Sequence, residues 1–330
     1  HTLMSYDASG NYFDLDMSML ESGYAYAIKL LYKVNYLNKF AIIREILSLI
    51  KLIIISRKLR YDYLLLHHSN FFSILILPFL SVFFSDIKTL CHVGTEWKHI
   101  ENRSLRKFTI YFLKKYTKKC FVISDTQISF LKDVNIQKIN SIIAKDFINI
   151  PINTNEKTDD YILFLARVCR EKGVYDILNF YKKNYTNLPK IKICGPINDE
   201  KTRKLINNTI KICDGKVVLL DPVYDIYKKI QLIDESIFGI YPSYYDAFPL
   251  TPIEFFSRGK ICITSNISES VNFIKDINLL ITPGDLKQME MSISYALEII
   301  KNKTYQSEIS WTINTAKEIA EGKIVNNLTK

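Results

Sequence analysis

Six short apolar runs recur between residues 161 and 282, each followed by a helix-sized segment, and no other feature constrains the fold as much. They are Tyr161–Ala166, Ile191–Gly195, Val217–Asp221, Ile237–Tyr241, Ile261–Thr264 and Leu279–Thr282. Strands that alternate with helices predict a parallel sheet with helices on its faces. The first half repeats the pattern with Tyr63–His67, Thr89–Val93 and Cys120–Ser124, and residues 36–58 ahead of them predict one long amphipathic helix. Between the halves, residues 150–160 are polar, contain Pro151 and lack periodicity, which predicts a linker. A chain of 330 residues is long for one core, so two domains are expected, 1–150 and 151–330. Each is expected to be an α/β, Rossmann-like, doubly wound parallel sheet, the two facing a cleft at the C-terminal strand ends. A C-terminal helix over 304–322 is expected to pack back onto the first domain.

Within that frame, residues 242–260 carry the most chemistry. Asp246 and Glu254 stand eight positions apart, with a turn between them that opens a helix. Pro252 suits the first helical position and Thr251 the N-cap. Free amides at such a helix start, around Phe248, Pro249, Leu250 and Thr251, attract an anion. Two carboxylates flanking that anion would hold a sugar on one side of a diphosphate and a ribose on the other. The same residues admit a purely structural explanation: Thr251 and Glu254 spell a T-x-x-E capping box, and Asp246 suits a turn.

A second constellation lies at the end of the run 161–166, which continues into Arg167-Val-Cys-Arg-Glu-Lys-Gly173. Arg167 and Lys172 leave a strand end and precede a helix, where a guanidinium fork and a point charge neutralise a phosphate. A solvated basic loop is the alternative. Both constellations belong at C-terminal strand edges, where they would face one cleft.

The formal charge is +10, of which residues 1–150 contribute +8 and residues 151–330 +2. Much of the excess lies in 103–119, a predicted helix with aromatic and aliphatic residues on one side and cations on the other. That pattern fits an anionic bilayer surface, or an ordinary domain helix with a solvated basic face. No nucleic-acid motif accompanies the charge, so a nucleic-acid partner is not expected. Hydrophobic residues at 48% exclude wholesale disorder. Phe71–Phe84 is apolar but broken by Pro78 and too short to span a bilayer, and predicts a buried helix. Six cysteines without C-x-x-C spacing and five histidines without a zinc pattern predict no metal site and a reducing compartment. With no signal-peptide pattern visible, a cytoplasmic protein, peripheral on the inner membrane face, is expected.

Taken in order, these pieces resemble a known family. Phe164-Leu-Ala-Arg-Val-Cys-Arg-Glu-Lys-Gly173, Lys192-Ile-Cys-Gly-Pro196, the stretch from Tyr241 to Glu254, Gly259-Lys260 and Pro283-Gly-Asp285 look like the donor-binding domain of glycosyltransferase family four. These are retaining enzymes of the GT-B fold. The family's E-x7-E motif appears as Asp246-x7-Glu254, and its G-R-x4-K-G motif as Ala166-Arg167 through Lys172-Gly173. The resemblance implies transfer of a sugar from a nucleotide-sugar donor to a glycan acceptor, lipid-linked in surface-polysaccharide assembly, without a metal or other cofactor. It gives Arg167 and Lys172 the diphosphate, Glu254 the ribose, Asp246 the transferred sugar, and the amides near Phe248–Thr251 a phosphate oxygen. More weakly, His92 in Cys91-His-Val-Gly94 stands for a strand-end histidine near the sugar, and Gly10 for a glycine loop after the first strand. Two departures stand out: aspartate for the first glutamate, and alanine for glycine before Arg167. The first leaves two rival readings open, a GT-B nucleotide-sugar epimerase and a non-catalytic sugar-nucleotide-binding partner docked at the membrane.

Overall fold

A computed structural model describes residues 161–302 except 198, 245, 247, 248, 268–273 and 275. Of the rest it describes 3–6, 12–15, 63–68, 77–83, 86–91, 103–122, 134–138 and 146–151, with single residues 128, 131 and 314. Its contacts separate two units, His1–Ile139 and Asn140–Lys330. The division falls ahead of the linker expected at 150–160. The helices expected at 36–58 and, but for Asn314, at 304–322 lie outside the described residues.

In the first unit, β3 (Tyr63–His68), β4 (Asp86–Cys91), β5 (Lys119–Val122) and β6 (Ile136–Lys138) form a parallel sheet in that order. Three of these strands were legible as apolar runs. The fourth, Ile-Gln-Lys, is too short and polar to stand out. Two further strands, β1 (Leu3–Tyr6) and β2 (Tyr12–Leu15), pair antiparallel in a sheet of their own with Tyr6 opposite Tyr12. The apolar stretch 71–84 is not a long buried helix where described. It holds one turn, α1 (Leu77–Leu80), with Leu77 and Leu80 fully buried but Phe79 47% and Val82 76% exposed. Helix α2 (Arg103–Tyr116) buries Thr109 and Leu113, one turn apart. Its outer face carries Lys107, Phe108, Tyr111, Lys114 and Lys115, so aromatic rings and cations share the exposed side instead of facing opposite ways.

The second unit contains α3 (Asp146–Asn149) and a six-stranded, all-parallel sheet. Its strands are β7 (Tyr161–Leu165), β8 (Lys190–Cys194), β9 (Val217–Leu220), β10 (Phe238–Tyr241), β11 (Cys262–Ser265) and β12 (Leu280–Ile281). All six expected runs are strands. The spatial order is β12-β11-β10-β7-β8-β9. The chain therefore winds outward from β7 to β9, crosses back to β10 on the other side of β7, and winds outward again. This is the doubly wound topology, with its switch point between β7 and β10. Every residue of β7, β10 and β11 is buried, as a sheet covered on both faces requires. The helices are α4 (Val174–Asn184), α5 (Glu200–Ile212), α6 (Ile226–Glu235), α7 (Leu250–Ser257) and α8 (Leu286–Lys301). Asp199, Asp225 and Asp285 cap α5, α6 and α8 through their carboxylates, each contributing about 1 kcal/mol.

Two glycines let the loops at the strand ends close on one another. Gly173, at φ +77°, precedes α4 so closely beside the end of β10 that a Cβ would lie 2.0 Å from the Pro242 carbonyl oxygen. Gly195, after β8, packs as closely on Ala166, where a Cβ would meet the carbonyl oxygen at 1.8 Å.

Arg258, at the C-terminal end of α7, explains where the units divide. It is 1% exposed, and all five of its N–H groups are used. Nε and Nη2 grip the Asp234 carboxylate at 2.8 and 2.5 Å. Nη1 donates to the carbonyls of Phe147 and Ile150, and Nη2 to that of Pro151. Residues 147–151 are thereby fastened to the second unit, although their local sequence reads as the start of a linker.

Breaking a fully enclosed ion pair from one side leaves the other charge buried. Arg258→Ala is expected to destabilise the second unit by about 3–5 kcal/mol, read from urea unfolding with hydrogen exchange in β7–β11. A loss under about 1 kcal/mol would contradict this account. Gly173→Ala is expected to lower the melting temperature, because a left-handed alanine costs about 1–2 kcal/mol before its clash with Pro242 is counted.

Candidate active site at the switch point

The loop after β7 carries Arg167 and Lys172, and the segment after β10 carries Asp246 and leads into α7. These are the two strands that flank the switch point, so their C-terminal ends are adjacent. Backbone contacts bind the loops together. The Glu171 carbonyl accepts from the Tyr244 N–H at 2.9 Å and from the Ser243 hydroxyl at 3.3 Å.

Lys172 is the centre of this arrangement. Its ammonium donates to Asp246 Oδ2 at 2.5 Å and to the Tyr241 hydroxyl at 2.9 Å, and Tyr241 donates to the same Asp246 oxygen. The side chains of Lys172 and Asp246 are 13% and 18% exposed, covered but reachable. Tyr241 is 3% exposed, and burial, then the Asp246 charge, pushes its phenol well above the ordinary value. It therefore keeps its proton and remains a donor to Asp246. An ammonium has three N–H groups, so Lys172 retains one that no described residue takes up. Arg167 is exposed, and none of its guanidinium N–H groups has a partner among the described residues.

The capping box expected at 251–254 is not formed. Helix α7 begins at Leu250 with Pro249 before it, no side chain caps it, and Pro252 is its third residue. The Thr251 hydroxyl instead donates to the Leu165 carbonyl at the end of β7, 3.1 Å away. Glu254 is 7% exposed and turns its Oε1 to Lys229 Nζ on α6 at 2.6 Å. Its Oε2 is buried with no partner among the described residues. Both side chains found stronger partners in neighbouring elements than the amides of their own helix. The first-turn amides of α7 are consequently left for a ligand. Helix α4 also lacks a side-chain cap but carries Asp176 in its first turn, so α7, with no acid there, is the better anion site.

The structure thus brings Lys172 and Asp246 into contact and sets Thr251 on the end of the Arg167-bearing strand, while Glu254 stands in a pair of its own with Lys229. Pro249 and Leu250 open α7, two residues ahead of the start expected at Thr251 and Pro252. Phe248, His92 and Gly10 lie outside the described residues. Sequence reasoning missed Tyr241, Lys229 and Arg258. Tyr241 closes an apolar strand and reads as core, and Lys229 reads as a solvated helix residue. A charge inside Phe-Phe-Ser-Arg-Gly was a signal for Arg258. Among the described residues no cluster of three His, Cys, Asp or Glu side chains could hold a metal.

Residues 146–309 match the family model for glycosyl transferases group 1, starting at the first residue of α3. No curated protein matches the sequence significantly. Solved structures share the fold at low identity. TarM of S. aureus has 16% identity and a TM-score of 0.62, with 84% of this chain and 55% of TarM covered. This chain therefore spans little more than half of TarM's length. Sucrose-phosphate synthase from Thermosynechococcus elongatus has 14% identity and a TM-score of 0.64, with 88% and 76% covered. Anabaena HepE, solved in complex with UDP, has 12% identity and a TM-score of 0.65, with 86% and 82% covered. The family match and the doubly wound second unit agree: residues 146–309 are similar to a group 1 glycosyl transferase domain, and the chain shares the GT-B fold of these structures.

Proposed function

We propose that the chain is a retaining, metal-independent glycosyltransferase that moves a sugar from a nucleoside-diphosphate donor to a lipid-linked glycan in surface-polysaccharide assembly. The observation that carries this reading is the pairing of two cations with an uncapped helix start at one switch point. Transfer leaves a nucleoside diphosphate with growing negative charge, and preorganised positive groups aimed at that charge are the largest available catalytic effect. Arg167, Lys172 and the α7 amides supply them, so the proposed mechanism assigns no step to a metal. Lys172 remains tied to Asp246 while its third N–H meets the phosphate, which sets the Asp246 carboxylate beside the sugar. The Glu254 carboxylate, held on one oxygen by Lys229, accepts from ribose hydroxyls with the other.

The membrane side of the proposal rests on the outer face of α2. Lysines at 107, 114 and 115 surround Phe108 and Tyr111, and the exposed Phe79 lies on α1, which packs against α2, with the exposed Val82 just after it. Rings that enter the headgroup layer and cations that meet anionic lipid suit an interfacial surface, each lysine contributing about 1 kcal/mol. No helix among the described residues is long and apolar enough to cross a membrane.

Calorimetry with UDP, ADP and GDP is expected to show one nucleoside diphosphate bound, and transfer from the matching nucleotide sugar should be lost in Lys172→Ala and Glu254→Ala variants that remain folded. Full activity in both would refute the site assignment; a changed donor without any acceptor product would identify an epimerase. In vesicle co-sedimentation, phosphatidylglycerol should retain the protein and phosphatidylcholine should not. Reversing Lys114 and Lys115 to glutamate should release it. Equal binding to both vesicles would remove the membrane proposal and leave the donor site untouched.

A further inference from the structure

We infer that Tyr241 and Asp246 are a matched pair, in which a buried tyrosine hydroxyl takes up the length that a glutamate would fill, and that Tyr241 is the positioning residue for the sugar-facing carboxylate. The inference rests on the donor-site reading above, and concerns how this chain manages an aspartate at the first position of its two-carboxylate motif. Asp246 is one methylene shorter than glutamate, so a carboxylate anchored at the same backbone position falls about 1.5 Å short. In the structure that gap is not empty. The Tyr241 hydroxyl stands at the end of β10, donates to Asp246 Oδ2 and accepts from Lys172 at 2.9 Å. Lys172 closes the triangle on the same Asp246 oxygen at 2.5 Å.

Each side of this triangle constrains the others. Asp246 lies on the short irregular segment between β10 and α7 and has no regular element to fix it. Tyr241 belongs to a fully buried strand whose register with β11 is set by Gly239 opposite Cys262 and Tyr241 opposite Thr264. The strand-borne hydroxyl therefore gives the carboxylate a fixed partner. A strand that needs only core packing has no use for a hydroxyl here, because a buried hydroxyl is costly unless it is bonded. Tyr241 thus sets the separation between the diphosphate-binding cation and the sugar-facing carboxylate.

Four proteins test the pair: wild type, Tyr241→Phe, Asp246→Glu and the double variant. A matched pair means that the longer acid collides with the hydroxyl and fits once the hydroxyl is removed. Asp246→Glu is expected to lower the melting temperature by about 2–4 °C alone, and by less than half as much in the Y241F background. UDP and inorganic pyrophosphate should bind about tenfold more weakly to each single variant, with affinity recovering to within about threefold in the double variant. An equal effect of Asp246→Glu in both backgrounds, on melting and on binding, would overturn the inference. Failure of wild type to bind pyrophosphate, UDP, ADP or GDP would instead sink the donor-site reading, and the melting comparison of the four unliganded proteins would still decide whether the pair is matched.

Discussion

The position of β10 beside β7 is the constraint on which the chemistry of the second unit depends. Phe238 and Gly239 pair in parallel with Ile162 and Leu163, so the strand ends lie about 4.8 Å apart although the chain takes some 70 residues to return. Burial on both faces holds the two strands there, since neither has a polar side to turn to water. Their exit loops must then share one edge, and everything that follows is local. Gly173 closes on Pro242, Glu171 accepts from Tyr244, and Thr251 reaches back to Leu165. Lys172 comes to rest against Asp246 and the Tyr241 hydroxyl at the neighbouring strand end.

Three ion pairs in this unit differ in what they leave unsatisfied, and the difference separates structure from chemistry. Arg258 and Asp234 are enclosed, with all five guanidinium N–H groups bonded to the protein. Such a pair has nothing left to offer a ligand, and it acts as a clamp on residues 147–151. Lys172–Asp246 is partly exposed and keeps an N–H in reserve. Lys229–Glu254 keeps a buried carboxylate oxygen without a partner. Desolvating charges is a poor route to stability unless every valence is met. Pairs that remain incomplete fit a site whose remaining partners arrive with the substrate.

Much of this was legible beforehand, and the failures are instructive. Arg167, Lys172 and Asp246 were singled out because they follow strong apolar strands within a short loop, and Glu254 because it follows Asp246 by eight positions; strand ends at a switch point are where α/β sheets bind ligands. A helix start in this segment was also legible, though it falls two residues ahead of the expected Thr251–Pro252, and its capping was not. Thr-x-x-Glu satisfies the local rule for a capping box whatever surrounds it. In the folded chain, Thr251 finds the Leu165 carbonyl and Glu254 finds Lys229, and a charged partner outbids a backbone amide. On α2, period alone told which residues share a face, but not which face the domain buries.

What the sequence determined by itself is the set of elements and their kinds: six strands, the helices between them, and the loops rich in charge at two strand ends. Hydrophobic period and length dictate these, and both are local properties of the chain. The tertiary structure decided which side chains meet. Lys172 and Asp246 are 74 positions apart, Lys229 and Glu254 are 25 apart, and Arg258 reaches a carbonyl 111 positions away. Contacts at such separations follow from strand order and crossover direction, which no local pattern encodes. That is why the acid at 246 was visible in the sequence, and the tyrosine that holds it was not.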